Sequence, residues 1–506
     1  MKNQIKIFNR SLGWIKASTI SGNGITVTSK QNVIYPEVTG YYIPTLLEWG
    51  ERDLAVSYAK YLCSIQKKDG SWYDAYDKAP YIFDSAQILK GLISIKNILP
   101  EVESHIVQGC DWLIGNMDEN GRLVTPSKDA WGNDDNFCSE LIHLYCLTPL
   151  VDAAVIFNRA DYKKAADKIC DFYKRNYIDK ILNFSLLSHF YAYVMEGLLD
   201  LGESETVKQA MNNLKKYQNP KGGVPGLKDV NWICSTGLFQ LALVWYKLGE
   251  LEKGNHIFDY ACKFQNESGG WFGSYPASWT DKLRKGKQKA YYFPDEEISW
   301  ANKYFLDALA YKTKLEFESQ ADIFQEKIDI NDGRYQLIEN RLTNIMKNRS
   351  EGTVAVCDIG CGKGRYIQNL VMKYPNNKYY ACDLSHKVMD GLKSPIEKKQ
   401  GRLTCIPYHN AMFDFVYVCE ALEHAINLEG SLKEIFRVLK PDGIAVIIDK
   451  PVEQLGKLKI EDWEQWIDDE QLSSIVQQLG GGLEIIKSVA YEGKMDGLFR
   501  AWIIKK

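Results

Sequence analysis

The run "VAVCDIGCGKGRYIQNL", residues 354–370, sets Gly360, Gly362 and Gly364 in a turn between an apolar strand-like stretch and a helical one. Glycine is the residue that lets backbone approach a bulky ligand closely and adopt positive φ. Asp358 precedes the turn. Asp383 closes the next apolar run, "KYYACDLS", about twenty residues on, where a carboxylate accepts from both hydroxyls of a ribose. The spacing is GxGxG, not the GxGxxG of a dinucleotide turn. These residues predict a pocket for a ligand carrying a nucleoside. Further on, "CEALEHA" brings Glu420, Glu423 and His424 to the end of another apolar run, and imidazole has a suitable ordinary pKa for a base. Asp449 and Lys450 open "DKPVEQLGKLKIEDWEQW", a polar and aromatic stretch suited to an acceptor wall, and are secondary candidates.

The elements that must hold these residues alternate. From about residue 350, strand-like runs ("VAVCDIG", "KYYACDLS", "RLTCIP", "FDFVYVCEAL", "GIAVIIDK") take turns with helical patterns ("RYIQNLVMKY", "HKVMDGLK", "LEGSLKEIFRVLK"). The pair "LEIIKSVAY" and "GLFRAWIIKK" closes the chain. Such alternation predicts a mainly parallel, doubly wound sheet, whose ligands bind beyond the C-terminal ends of the strands.

At these residues the chain resembles the class I S-adenosylmethionine-dependent methyltransferases. "CDIGCGKGR" is similar to their first motif, "ACDLS" to the acid of their second strand, and "FDFVYVCEALEHA" with "EIFRVLKPDGIAVI" to their later strands, over roughly residues 330–506. The resemblance implies S-adenosyl-L-methionine as cofactor. It implies contacts to it from Asp358, Gly360, Cys361, Gly362, Gly364, Asp383, Leu384 and Glu420, with Asp383 at the ribose and Leu384 near the adenine. The segment "TCIP" lacks the acidic residue the family carries before this turn. A sulfonium methyl is intrinsically reactive, so such an enzyme aligns a nucleophile and removes its proton. His424 and Glu423 are the catalytic candidates here.

The first 315 or so residues show a repeat instead. "QKKDGSW" (66–72), "QNPKGGV" (218–224) and "QNESGGW" (265–271) are variants of one loop, with "NMDENGR" (116–122) as a weaker fourth. Six helical stretches are apolar nearly all round, from "GYYIPTLLEWGE" to "ISWANKYFLDALAYK", and amphipathic ones such as "ERDLAVSYAKYLCSIQ" alternate with them. This predicts an all-α (α/α)6 toroid joined to the C-terminal α/β Rossmann-like domain. The repeat resembles those of terpene-cyclase and prenyltransferase toroids, and the architecture is similar to the toroids of unsaturated glucuronyl hydrolases, uronate epimerases and polysaccharide lyases. The DxDD cluster of squalene-type cyclases is absent, the nearest stretch being "YIFDSAQ" with Asp84.

A toroid's cavity lies where loops enter the inner helices. Read there, Trp72, Tyr76, Asp84, Asp134, Trp232, Trp271, Glu297 and Trp300 are the expected substrate contacts, with Thr39, Trp131, Asp135 and Trp279 nearby. Glu37 and His189 are the expected catalytic groups, being least explained by the repeat. Tryptophan faces with carboxylates suit a carbohydrate, and paired carboxylates suit glycoside chemistry.

The 506 residues predict a helical domain over 1–315, a helical connector over 316–349 and a methyltransferase domain over 350–506. A net charge of −3 gives no footprint for nucleic acid. The start lacks an export leader, no run is long enough for a membrane span, and the 12 cysteines show no metal spacing. A reduced, cytoplasmic enzyme follows, with no metal-ligand residues singled out and metal assistance left open, methylating a sugar or glycoconjugate, with the toroid binding or modifying the glycan. Three alternatives stand beside it: a toroid that is an independent lyase, epimerase or glycosidase, an inert binding toroid, and an isoprenoid or other small-molecule acceptor.

Overall fold

The computed structural model describes residues 2–126, 139–277, 291–323, 331–348, 352–460 and 464–506. Two compact units emerge, one of Ile7–Leu47 with Glu51–Lys312, the other of Thr313–Lys506 with Met1–Lys6 and Glu48–Gly50.

The first unit is mostly helical. Its helices are α1 (Lys2–Ala17), α2 (Pro36–Glu48), α3 (Arg52–Ile65), α4 (Ile82–Ile95), α5 (Glu103–Gly115) and α6 (Thr148–Ile156). They continue with α7 (Ala160–Leu182), α8 (Ser188–Asp200), α9 (Ser204–Leu214), α10 (Ser235–Lys247), α11 (Leu251–Cys262) and α12 (Ser299–Ser319). Two short ribbons accompany them: β1 (Thr19–Ile20) with β2 (Gly24–Ile25), and β3 (Trp232–Cys234) with β4 (Ser274–Pro276). Odd-numbered helices bury one stripe, as in α9, where Val207, Ala210, Met211 and Leu214 are buried at helical spacing. Even-numbered helices other than α6 are buried over most of their surface, twelve of thirteen residues in α10. A wholly buried 3₁₀ turn, Glu140–Cys146, comes before α6.

Successive buried helices touch. A Cβ on Gly91 of α4 would stand 2.1 Å from the Gly40 carbonyl of α2, so only glycine permits that approach. The Phe83 and Tyr145 rings stack at 6.2 Å, and Gly197 of α8 backs onto the Leu144 carbonyl. Phe239 of α10 meets Phe305 of α12, and Tyr42 Oη of α2 donates to the Ser299 carbonyl of α12 at 2.6 Å.

The second unit holds α13 (Gly333–Lys347), β5 (Ala355–Ile359), α14 (Ile367–Lys373), β6 (Lys378–Asp383), β7 (Glu397–Gln400) and β8 (Phe413–Cys419). After these come α15 (Leu428–Val438), β9 (Leu439–Asp449), α16 (Asp469–Gln478), β10 (Gly482–Tyr491) and β11 (Lys494–Lys505). Seven strands form one sheet in the order β10-β11-β9-β8-β5-β6-β7. Strands β5 to β9 pair in parallel, while β11 runs antiparallel to β9 and β10. Alternation across the pleat feeds two cores: Val356, Phe415, Tyr417 and Val446 on one face, Cys357, Val416, Val418 and Ile447 on the other. Strand order reverses at β5, which has β6 and β8 as neighbours, and the crevice above that point is where such sheets take ligands.

Two sequence expectations need correction. The third strand is the polar "EKKQ" of β7, at the sheet edge; "RLTCIP" is a turn whose Thr404 and Ile406 are tucked inward. "HKVMDGLK" forms only a 3₁₀ turn at Lys387–Met389.

Candidate active site

The glycine turn is built by the ends of two strands. Gly360 N and Cys361 N both donate to the Cys382 carbonyl, at 2.8 and 3.1 Å, which binds the turn after β5 to the end of β6. Gly360, Gly362 and Gly364 all have positive φ, at 73°, 52° and 72°. Gly362 N donates to Asp383 Oδ2 at 2.8 Å and Ser385 N to Oδ1 at 2.9 Å. The Asp383 carboxylate is therefore oriented before any ligand arrives, and each oxygen keeps acceptor capacity for a hydroxyl. Burial raises its pKa against these donors.

Asp383, Leu384, Gly360, Thr404 and His424 line a narrow cavity of about 80 Å³. A second of about 340 Å³ is lined by Asp358, Gly362, Arg365, Glu420, Glu423 and His424, among others. Gly360, Glu420 and His424 are common to both, so the two meet over the turn. Cys361 lines the second cavity, while Gly364 stands behind the turn, its Cα facing Leu392. Asp358 is buried and accepts from Tyr417 Oη at 2.9 Å; burial pushes its carboxyl up to about 7.

Glu420 follows directly on β8 with φ at 54° and is gripped by Arg334 Nη1 and Arg365 Nη2, each at 2.5 Å from Oε2. Burial acts to raise its carboxyl, but the two guanidiniums hold it below its ordinary value. Arg334, also paired to Asp332, and Arg365 are wall residues that sequence reading missed. The signal was a repeated "GRY", at 333–335 and 364–366, whose Tyr335 and Tyr366 rings stack at 6.2 Å.

Glu423 is buried with Lys450 Nζ at 2.6 and 2.8 Å, and its backbone N donates to Asp449 Oδ2. His424 sits edge-on to the Phe317 ring, 5.0 Å between centroids, with Nε2 at 3.7 Å from Glu423 Oε1. Burial first, with Lys450 adding, lowers the imidazole to about 4, so it is neutral at pH 7 and can accept a proton. Donor atoms of Glu423, His424 and Glu464 lie within 4.8 Å of one another and could meet a cation, which would have to displace the Lys450 ammonium.

In the helical unit, Glu37, Tyr76, His189 and Trp300 share one cavity of about 320 Å³, and Asp84 lies buried beside Glu37 and Tyr35. Other expected contacts serve the fold. Trp72 and Trp271 are wholly buried, their indole N–H groups donating to the Leu62 and Ala261 carbonyls, so neither offers a face to substrate. Trp232 packs closely against Gly226 and with Leu187. Glu297 accepts from Trp14 Nε1, Asn266 Nδ2 and Ser268 Oγ, which fastens the 265–271 loop. Thr39 caps backbone through Tyr35 and Ile25. Trp131, Asp134, Asp135 and Trp279 lie outside the described residues.

Residues 357–447 match the family model described as "Methyltransferase domain". A demethylmenaquinone methyltransferase of Leptospira interrogans is 28% identical over 160 residues, covering 29% of this chain and 60% of the relative. A sterol 24-C-methyltransferase of Schizosaccharomyces pombe is 36% identical over 100 residues, 18% of this chain and 26% of the relative. The chain thus spans about three fifths of the first relative and a quarter of the second. Among solved structures, the magnesium protoporphyrin IX methyltransferase of Synechocystis PCC 6803 aligns at 14% identity and a TM-score of 0.30, over 39% of this chain and 96% of that one.

Proposed function

We propose that the C-terminal unit transfers a methyl group from S-adenosyl-L-methionine to a small-molecule acceptor. One observation carries this: a positive-φ glycine turn and a pre-oriented carboxylate, Asp383, converge at the strand-order reversal beside a cavity walled by His424 and Glu423. The residues fit that cofactor. Gly360 and Gly362 leave backbone bare at the turn, Asp383 keeps acceptors for two ribose hydroxyls, and Leu384 offers an apolar edge for adenine. When bound, the cofactor supplies an electrophilic methyl group on a sulfonium. Of the protein's own groups, neutral His424 takes the acceptor's proton, and Lys450 holds Glu423 in place.

The matched relatives are named for acting on a quinone precursor and on sterols, which supports a small-molecule acceptor. A polar acceptor such as a sugar is the second reading. It draws on the charged lining of the larger cavity, Arg334, Arg365 and Lys450, and not on tryptophans that prove to be packing residues. The successive contacts of the buried helices, closed by Tyr42 on Ser299, support reading the helical unit as an (α/α)6 toroid. The test is to incubate the chain with methyl-labelled cofactor and a panel of quinols, sterols, small amines, nucleotide sugars and oligosaccharides. Label on a small molecule is expected. Label recovered solely on protein or nucleic acid contradicts the reading.

A further inference from the structure

The cavity of the helical unit shares no lining residue with the two cavities of the methyl-transfer site. Its walls are mostly rings: His189 and Tyr193 lie 4.4 Å apart, Phe190 and Tyr193 stack at 6.3 Å, and Phe293 and Trp300 at 6.3 Å continue the lining. Phe293 holds φ at 45°, a conformation that costs an aromatic residue energy and recurs where a side chain is aimed for function. Glu37 is 2% exposed and opens onto the same space. The Trp300 indole N–H is near enough to favour its ionised form, yet makes no hydrogen bond of ordinary geometry.

His189 adds an acceptor to this surface. His189 Nδ1 donates to Gln240 Oε1 at 2.9 Å, so Nε2 carries the lone pair. Burial lowers this imidazole to about 3, and it stays neutral. No cationic side chain lines the cavity among the described residues. Lys303, whose charge reaches Glu37 and His189, is committed to Asp307 at 2.8 Å and to the faces of Tyr41 and Tyr304, at 4.8 and 3.9 Å. Burial and the neighbouring Asp84 raise the Glu37 carboxyl well above its usual range, so it holds a proton in a place built to oppose positive charge.

We propose that this cavity binds an organic cation, its ammonium group set against Glu37 and the faces of Phe190, Tyr193 and Trp300. Ring faces attract a cation through their quadrupole, and a desolvated carboxylate opposite supplies the charge partner. The fold already treats Lys303 this way, with two ring faces and one carboxylate. An anion would meet two carboxyls. The groups facing Glu37 are Tyr35, Tyr41, Asp84, His189, Tyr193 and Lys303. Of these, Asp84 adds the negative charge that helps hold the Glu37 proton, which an incoming cation expels. Binding of a permanently charged ligand therefore strengthens as pH rises through the raised carboxyl pKa.

The test uses the full chain and isothermal titration with choline and with its neutral carbon isostere, 3,3-dimethylbutan-1-ol. Choline is expected to bind at least about tenfold more tightly than the isostere, and more tightly at pH 8 than at pH 5. Glu37→Gln and Trp300→Leu, each checked for an unchanged far-ultraviolet circular dichroism spectrum, are expected to erase that preference. Equal binding of the isostere or of glucose, no choline binding, or a Glu37→Gln variant that binds choline as before would overturn the proposal. None of these outcomes depends on the methyl-transfer reading.

Discussion

At the scale of single residues, the site works by holding groups in states that water would not favour. His424 is the sharpest case. Its pKa near 4 means that a proton-accepting role would set the acid limb of kcat/KM near pH 4, not near the ordinary 6.5. We expect a flat profile from pH 5 to 7, and a loss of about a hundredfold or more in kcat for His424→Gln. A variant that melts earlier but keeps kcat and the limb would make His424 a scaffold residue. The same depression works on stability. The folded state resists protonating this ring, so that contribution is complete above about 6.5 and lost as pH falls toward 4. Motif residues were legible here because glycine and a lone carboxylate at a strand end have few other uses. Arg334 and Arg365 were not, because a guanidinium looks the same on a solvated face as beside Glu420.

At the scale of elements, the four repeat loops are one turn used four times. Gly70, Gly121, Gly222 and Gly269 have φ between 94° and 105°. Each backs onto a helix carbonyl: Gln108 of α5, Lys168 of α7, His256 of α11 and Arg10 of α1. In three of them the leading glutamine, Gln66, Gln218 or Gln265, donates to the carbonyl of that glycine at 3.0 or 3.1 Å. A Cβ at Gly70, Gly222 or Gly269 would stand 2.3, 2.0 or 2.1 Å from a carbonyl oxygen. Gly202, with φ at 85° and open space around it, isolates the backbone strain. Gly202→Ala is expected to cost roughly 1–2 kcal/mol, and the other three to cost about 1–3 kcal/mol more, read by chemical denaturation. Equal losses at all four positions would show that the carbonyl contacts carry no energy. The turn was legible because positive φ demands glycine. The use of its tryptophan was misread, since an indole closing a helix end and an indole stacking on a sugar leave the same letter. Strand β7 was misread for the converse reason: a short edge strand needs no apolar residues, while the inward-folded "RLTCIP" does.

At the scale of the whole molecule, each of the two units carries a candidate site, and each site was legible to a different depth. Most of the sheet could be read because buried strands and their helices leave their period in the chain, and the polar edge strand β7 does not. The cavity of the helical unit could not, because it gathers Glu37 of α2, His189 of α8 and Trp300 of α12 from distant segments. Which aromatics line it and which only pack is decided by the closure of the buried helices. The account's central claim concerns the other unit: that the turn over Gly360–Gly364 and the Asp383 carboxylate form a seat for the methyl donor. Calorimetric titration of the full chain with S-adenosylhomocysteine, beside Asp383→Ala, addresses it most directly. Uptake of one equivalent by the natural chain, and at least about tenfold weaker uptake by the variant, is the predicted result, since two charge-assisted hydrogen bonds are lost. No uptake by the natural chain, or equal affinity in the two proteins, would contradict it.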